Sequence, residues 1–317
     1  MNGVAAPKVA VVYEATDIAL HATSTVPHRR SSVVMVVYMT GEALDKSLAF
    51  VLSDPLVDEL VVVDNGSTAA EVACVDDLAA GDARIVRGAG DGNVGFAKGA
   101  NLGARAATGD LLVFLNPDAF LQPGCIAGLA QAIEGRPVPC LVGGRVLNAD
   151  LTEQRGGRRG DITPMSALLS LSGLARRAPG LRRYEVHWEA DIAPTQVSEV
   201  PTISGACFCM RREDFDHLAG FDEGYFLHVE DVDLCWRVRR EGGLVLFHPK
   251  AEVIHIGGTS QTSPLKVEFH KGVGLARFFR IRAGNVGERV VAWLLLPLIL
   301  AAALVRPVRW RLRSRAG

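Results

Sequence analysis

An apolar run of five residues, 111–115, stops abruptly at Asn116-Pro117-Asp118, and this junction constrains the fold more than any other stretch. A short run without polar alternation suits a strand buried on both faces, as in a parallel sheet. Proline has no N–H to give a sheet ladder, so the strand is expected to end at Asn116. Asp118 then falls just past the strand's carboxyl end, the edge at which open α/β sheets bind ligands. A carboxylate there is placed to hold a divalent metal against a diphosphate. The same three residues also read as a plain strand-to-turn transition, because Asn, Pro and Asp all favour turns.

The chain before this junction alternates strands and helices. Residues 33–38 are a compact β-branched run. Residues 42–52 put Leu44, Leu48 and Val51 on one helical face. Residues 60–63 make a second strand, followed by Asp64-Asn65-Gly66-Ser67-Thr68, which supplies turn residues and a helix cap. Residues 83–86 make a third strand. The alternation predicts a doubly wound, mostly parallel sheet. A chain of 317 residues with 49% hydrophobic content can bury the core such a sheet needs. Its formal net charge of −1 argues against a broad nucleic-acid surface. Six scattered cysteines with no Cys-x-x-Cys pair give no zinc site and suit a reduced, cytoplasmic setting. Cys207 and Cys209 alternate along a strand and are expected to share a face. Residues 1–31 lack periodicity and a secretory pattern, and read as a loose extension.

Residues 88–103 are glycine-rich, so a dinucleotide-binding turn has to be weighed. In that fold the glycines follow the first strand. Here the first strand leads into Met39-Thr40-Gly41, and the glycines come after the third. They read instead as a turn entering a helix over 96–108. A helix over 125–134 and a strand over 140–147 follow. The pattern then dissolves from 148 to 199, apart from a short helix near 165–174, as expected of a functional or mobile loop. Order returns with a strand within 200–210, a short helix over 212–218, and two strands over 244–247 and 252–256, the second carrying His255. Between them Glu230, Asp231 and Asp233 open a helix. Acids there are stabilised by the helix dipole whatever else they do.

Residues 290–305 are apolar but interrupted by Pro297, and fall short of the roughly 20 residues a spanning helix needs. Arg306, Arg309, Arg311, Arg313 and Arg315 follow, with Trp310 among them. Such a segment suits the interface of an anionic leaflet, or else a buried helix with a solvated basic end.

Several motifs agree in order and spacing. They are the strand at 33–38; Val63-Asp64-Asn65-Gly66-Ser67; Asn93-x-Gly95-Phe96-Ala97 with Asn101-x-Gly103; Phe114-Leu115-Asn116-Pro117-Asp118; Ser204-Gly205-Ala206; Gly220-Phe221-Asp222-Glu223; Glu230-Asp231-x-Asp233-Leu234-x-x-Arg237; and Val253-x-His255. Over residues 33 to about 260 the chain resembles the family 2 glycosyltransferases of the GT-A fold, inverting enzymes that use nucleotide-diphospho-sugars. Within them it looks like bacterial rhamnosyltransferases acting on lipid-linked or cell-wall glycans.

The resemblance implies an α/β GT-A domain over 32–283, with a nucleotide-sugar half at 32–147 and an acceptor half at 148–283. A membrane-associating apolar helical tail at 284–317 completes it. Asp64 and Asn65 would contact the nucleotide, a carboxylate accepting the imide N–H of uracil or thymine. Asn93, Gly95, Phe96 and Asn101 would line the nucleotide and sugar site, or else form a turn and pack a helix. Asp118 would be the metal-bridging acid of the family's Asp-x-Asp motif, with His255 as a further ligand for Mg2+ or Mn2+. The chain departs from that motif at Asn116, which contributes no charge but still reaches the donor site. Asp231 is the expected general base, with Glu230 its rival. Asp222 and Trp236 either shape the acceptor site or pack.

The resulting expectation is transfer of a deoxyhexose, rhamnose, from a dTDP or UDP donor (dTDP-rhamnose or a UDP-sugar) to a glycan or polyprenyl-linked glycan. The enzyme would sit peripherally on the inner face of the plasma membrane. Asp118 and Asp231 should then face each other across one cleft. A nucleotidyltransferase is disfavoured, because residues 39–44 offer no basic, glycine-rich grip for a triphosphate. The remaining rival is a catalytically degenerate GT-A domain that binds glycans or anchors an assembly, a reading fed by Asn116.

Overall fold

The computed structural model describes residues 29–314 apart from 89, 91 and 261, with side chains as far as 301. Nearly all of the expected N-terminal extension, and the side chains of Trp310 and the arginines that follow residue 305, lie outside the described residues.

The first half runs β1 (Ser31–Val37), α1 (Ala43–Ser53), β2 (Glu59–Asp64), α2 (Ala69–Gly81), β3 (Ile85–Gly88), α3 (Phe96–Ala106), β4 (Leu111–Leu115), β5 (Ala119–Leu121), α4 (Cys125–Ile133) and β6 (Cys140–Leu147). The second runs β7 (Arg158–Arg159), α5 (Pro164–Ser172), α6 (Leu174–Arg177), a 3-10 turn (Pro179–Tyr184), β8 (Ser198–Glu199), β9 (Thr202–Ile203), β10 (Cys207–Arg211), α7 (Arg212–His217), α8 (Glu230–Arg240), β11 (Leu244–His255), α9 (Pro264–Arg282) and α10 (Val286–Ser314).

β1 is the hub, and all seven of its residues are buried. It pairs in parallel with β2 and β4, so Val33 lies opposite both Leu60 and Val113. β3 extends this side in parallel. β10 runs antiparallel between β4 and β6, and β11 lies parallel to β6. The carboxyl ends of β1, β2, β4, β6 and β11 therefore share one edge.

The sheet is covered on both faces. Val33, Met35 and Val37 pack with Leu44 and Leu48 of α1 and Leu129 of α4. Cys207 and Cys209 lie in this same layer, on one face as expected, and all six thiols are free. Val34 and Val36 face the other layer, with Phe114, Phe208, Phe215 and Phe221. The Phe114 ring centroid is 4.9 Å from those of Phe208 and Phe215 and 5.2 Å from Phe221. This cluster pins the loop before α8 onto the sheet. Phe114→Ala is expected to cost roughly 3–5 kcal/mol of stability by urea unfolding.

Three elements differ from the sequence expectation. The two strands at 244–247 and 252–256 are one strand, β11, whose register against β6 slips between His248 and Glu252. Pro249 sits in the slip, and His248 Nδ1 accepts the N–H groups of Lys250 and Ala251 at 3.2 and 2.8 Å. A bulge of this kind mimics a strand break in the sequence. α10 is not broken at Pro297 but runs through it, packed on α9 and α5. That packing offsets a proline penalty of roughly 3 kcal/mol. α9 was not anticipated at all, although Pro264 suits a first helical turn. No helix among the described residues is long and apolar enough to cross a membrane.

Candidate active site

The carboxyl edge of the sheet opens into a cavity of about 270 Å³ lined by Asn65, Asn93, Gly95, Phe96, Asn116, Asp118 and His255, among others. Most of the site residues singled out from the sequence meet here. Asn65 Oδ1 accepts the Val94 N–H at 2.9 Å, which ties the end of β2 to the turn before α3. The Asn93 side chain caps that turn by accepting the Gly95 N–H at 3.2 Å. Gly95 has φ +88, and a Cβ there would stand 2.5 Å from the Phe226 carbonyl oxygen. Only glycine allows the Phe96 N–H to reach that carbonyl at 2.8 Å.

Two expected donor-site residues lie outside the cavity lining. Asn101 does not line the cavity. Its amide donates to Phe221 O at 2.9 Å and Glu223 Oε1 at 3.1 Å, and accepts the Phe221 N–H at 2.9 Å. With its amide engaged on both sides, it is a staple between α3 and the loop ahead of α8. Asp64 also stands outside the lining, at the end of β2. Its Oδ1 accepts the Gly66 and Ser67 N–H groups at 3.0 and 2.8 Å. Burial opposes its charge, but those amides outweigh it and hold the carboxyl below its usual range.

β5 pairs with β11 so that Ala119 lies opposite His255, which brings Asp118 against the imidazole. Asp118 Oδ1 is 3.1 Å from His255 Nε2, and its Oδ2 accepts the Thr259 hydroxyl at 2.9 Å. Burial works against ionised Asp118, but His255 and then Thr259 hold its carboxyl below the usual range. His255 Nδ1 is 2.7 Å from Gln154 Oε1. A carbonyl oxygen can only accept, so Nδ1 carries a proton, and Nε2 is the ring nitrogen turned toward Asp118. Asn116 Nδ2 also points at Nε2, at 3.2 Å. Oxygen and nitrogen about 3 Å apart is the spacing of neighbouring ligands on an octahedral ion with bonds of about 2.1 Å. The pair thus fits a small divalent cation completed by phosphate oxygens and water. No group of three or more His, Cys, Asp or Glu among the described residues would hold one unaided.

Asp231, in the first turn of α8, is held by Arg159 of β7 and by the Gly205 N–H at 3.0 Å. Ser204-Gly205-Ala206 connects this grip to the other cavity, because Ala206 O accepts the Asn116 N–H at 2.9 Å. Burial opposes the Asp231 charge, yet Arg159 outweighs it and keeps the carboxyl below its usual range. Glu230 differs in every respect. It lines neither cavity, and its Oε2 is buried without a hydrogen-bond partner among the described residues. Burial, and then the neighbouring Asp231, push it up to about 8, so it is mostly protonated at neutral pH.

The Glu230 shift has a measurable consequence. The folded protein keeps a proton that the unfolded chain releases near 4.5, so stability falls as pH rises from there through about 8. The slope is at most about 1.4 kcal/mol per pH unit. Glu230→Gln is expected to flatten this loss, its melting-temperature advantage over the wild type growing from pH 5 to pH 8.

Asp118 and Asp231 do not share a single cleft, which corrects the expectation of one. Asp231 lines a second cavity of about 220 Å³ with Arg155, Arg159, His187, Ser204 and Lys271. The two cavities adjoin, and His228 lines both. His228 and Val229 carry φ of +66 and +77, just ahead of the acids. A β-branched residue there is strained by roughly 1–3 kcal/mol. Stacking of Phe226 on His270, ring centroids 4.6 Å apart, braces this loop against α9. Burial, and then Lys271, push His228 down to about 4, so the partition between the cavities is uncharged at neutral pH.

Arg159, His228, Thr259, Lys266 and His270 were missed from the sequence, although all line one or both cavities. Arg159 lay in the stretch 148–199, read from the sequence only as a functional or mobile loop. Lys266 and His270 sit on the unanticipated α9, where their spacing of four residues was the available signal. Asp222 and Trp236 line neither cavity. Asp222 pairs with Arg277 at 2.7 Å, and Trp236 packs edge-on against Phe278.

The mixed α/β sheet, with a carboxylate–imidazole pair at its carboxyl edge and a held acid next door, has the fold of the GT-A glycosyltransferases. Residues 32–219 match the model of glycosyl transferase family 2, and the chain belongs to that family. It is 29% identical over 250 residues to the N-acetylglucosaminyl-diphospho-decaprenol L-rhamnosyltransferase of Mycobacterium tuberculosis, covering 70% of this chain and 75% of the relative. It is 26% identical over 159 residues to rhamnosyltransferase WbbL of Escherichia coli K12, covering 48% of this chain and 54% of the relative. Among solved structures, the mannosyltransferase PcManGT from Pyrobaculum calidifontis, in complex with GDP-Man and Mn2+, superposes with a TM-score of 0.57 at 16% identity. That match covers 91% of this chain and 76% of the other. GalNAc-T7 with UDP, GalNAc and Mn2+ gives 0.56 at 18% identity, covering 74% of this chain and 45% of the other. Likenesses at such identity speak for the fold alone.

Proposed function

We propose that the enzyme moves rhamnose, with inversion, from a dTDP- or UDP-linked donor onto a polyprenyl-linked or cell-wall glycan. The observation that carries this reading is the adjacency of the two cavities through His228. The donor diphosphate would lie against Asp118 and His255, and the acceptor sugar beside Asp231. Asn65, Asn93 and Asn116 would hold the nucleotide and sugar, with Asp64 at the rim toward the base. Asp231 takes the acceptor hydroxyl's proton as that oxygen attacks the anomeric carbon opposite the leaving group. Mg2+ or Mn2+ held by Asp118 and His255 would neutralise charge on the departing diphosphate. Residues 32–147 act as the donor half, 148–283 as the acceptor half, and 284–317 as the membrane-associating tail.

Peripheral attachment at the inner face of the plasma membrane is supported by two exposed apolar faces. Leu265, Phe269 and Val273 repeat every four residues along α9, and Val290, Trp293, Leu294 and Leu298 lie exposed on α10. The choice of sugar and acceptor draws on the mycobacterial relative, which is a rhamnosyltransferase named for a diphospho-decaprenol acceptor. The test is a panel of nucleotide-sugars with Mg2+ or Mn2+, read by thermal protection and hydrolysis. The anomeric configuration of the product on a synthetic acceptor is then read by NMR. Protection by dTDP-rhamnose or a UDP-sugar and an inverted product are expected. A panel in which no nucleotide-sugar protects or is turned over would refute the proposal.

A further inference from the structure

Beyond the Asp231 cavity lies a third space that the transfer chemistry does not use. It is a cleft of about 490 Å³ where the start of α5 meets the end of α9 and the first turns of α10. That volume is within the roughly 300–1,000 Å³ of small-molecule sites. Ile162, Pro164, Phe279, Ala283, Val291 and Ala292 supply apolar lining. The polar groups at its rim have partners inside the fold. The Thr163 hydroxyl caps α5 by accepting the Ser166 N–H at 3.1 Å. Arg282 pairs with Asp161 at 2.6 Å, and Glu288 accepts the Gly284 N–H at 2.7 Å.

Ile162 lines both this cleft and the Asp231 cavity, as His228 lines both the Asp231 and Asp118 cavities. The Asp231 cavity therefore adjoins both of the other spaces. From one space to the next the lining changes from the Asp118–His255 pair, through Asp231 with Arg155 and Lys271 nearby, to hydrocarbon. A lipid-linked sugar has matching order: a hydroxyl to be glycosylated, then the sugar, a diphosphate and an isoprenoid tail. Val290, Trp293 and Leu294, exposed on α10 beside the cleft, continue its apolar surface outward.

We propose that the cleft between α5, α9 and α10 is the subsite for the first isoprene units of a polyprenyl-diphosphate acceptor whose sugar occupies the Asp231 cavity. This rests on the acceptor reading above and adds the chain that the enzyme grips. The grip makes chain length a determinant of acceptor affinity, separately from any membrane.

The test uses the full chain and two synthetic acceptors carrying the same sugar diphosphate, one on a farnesyl chain and one on a methyl group, below micellar concentration. The expected KM is at least tenfold lower for the farnesyl acceptor. Val291 is 48% exposed, so a charge there is compatible with folding. Val291→Asp is expected to raise the farnesyl KM at least tenfold, leaving the methyl KM, both kcat values and donor hydrolysis unchanged. A farnesyl acceptor with a benzophenone on its terminal unit should crosslink within residues 279–292 of the wild type, a readout that needs no variant. Transfer to both acceptors without chain-length preference, or crosslinks elsewhere, overturns the subsite while the transferase reading stands. Transfer to neither acceptor, with donor hydrolysis intact, sinks the acceptor reading and the subsite with it. A concentration-dependent dimer that Val291→Asp dissolves, with chain-length preference unchanged, would assign the cleft to a second copy and overturn the proposal.

Discussion

Asp231→Asn is expected to lower the turnover of sugar transfer by roughly 10²–10⁴-fold, the range that a positioned general base supplies. The donor should still bind, because Asp231 lines the neighbouring cavity and not the one around Asp118 and His255. Asparagine keeps the shape and can still accept from the Gly205 N–H and Arg159, so a fold-wide collapse is not expected. What it loses is the charge that takes a proton. Arg159 keeps the native carboxylate ionised through neutral pH, which makes it a weak base always in the accepting form. That suits an inverting transfer in which the attacking hydroxyl becomes strongly acidic only as the bond to the diphosphate breaks. Donor affinity by calorimetry and transfer under saturating donor separate the two effects. If the variant kept most of its turnover, another group would be the base. Glu230 is a poor heir, being mostly protonated at neutral pH and outside both cavities.

The sequence made the donor side legible because its signals are local. The apolar run ending in Asn116-Pro117-Asp118, the turn at Asn65 and the Gly95-Phe96 helix start each encode their own backbone, and together they form the wall of one cavity. The acceptor side was hidden because its signals are distant contacts. Nothing near Arg159 in sequence indicates that it pairs with Asp231, 72 positions away. Nothing near Asn101 indicates that its amide is committed to Phe221, 120 positions on. The direction of β10 was equally unreadable, since a strand buried on both faces has the same pattern in either orientation. His228, which lines both cavities, and Val229 carry positive φ that runs against residue preference and had no sequence cue.

Asp118→Ala should weaken metal-supported donor binding by at least roughly 10–100-fold, the scale seen when even the outer partners of metal ligands are lost. The wild type offers a single carboxylate in this pair, because the family's other acid is Asn116. Removing Asp118 therefore leaves His255 as the one remaining group of the pair. A structural cost accompanies the change. The Thr259 hydroxyl loses its carboxylate acceptor and His255 Nε2 loses its carboxylate neighbour, roughly 1–3 kcal/mol where burial leaves a group unsatisfied. Binding must therefore be read as a ratio. UDP or dTDP affinity with and without Mn2+ should differ in the wild type and become equal in Asp118→Ala. Asn116→Asp makes the opposite change. It restores a second carboxylate beside His255 Nε2, where Asn116 Nδ2 now stands at 3.2 Å. It should raise affinity for Mg2+ or Mn2+ while weakening metal-free donor binding, since two close carboxylates repel each other and the diphosphate. If Asp118→Ala kept the full Mn2+ enhancement, or Asn116→Asp tightened donor binding equally with and without metal, Asp118 and His255 would be holding the loop at Thr259 and not a cation.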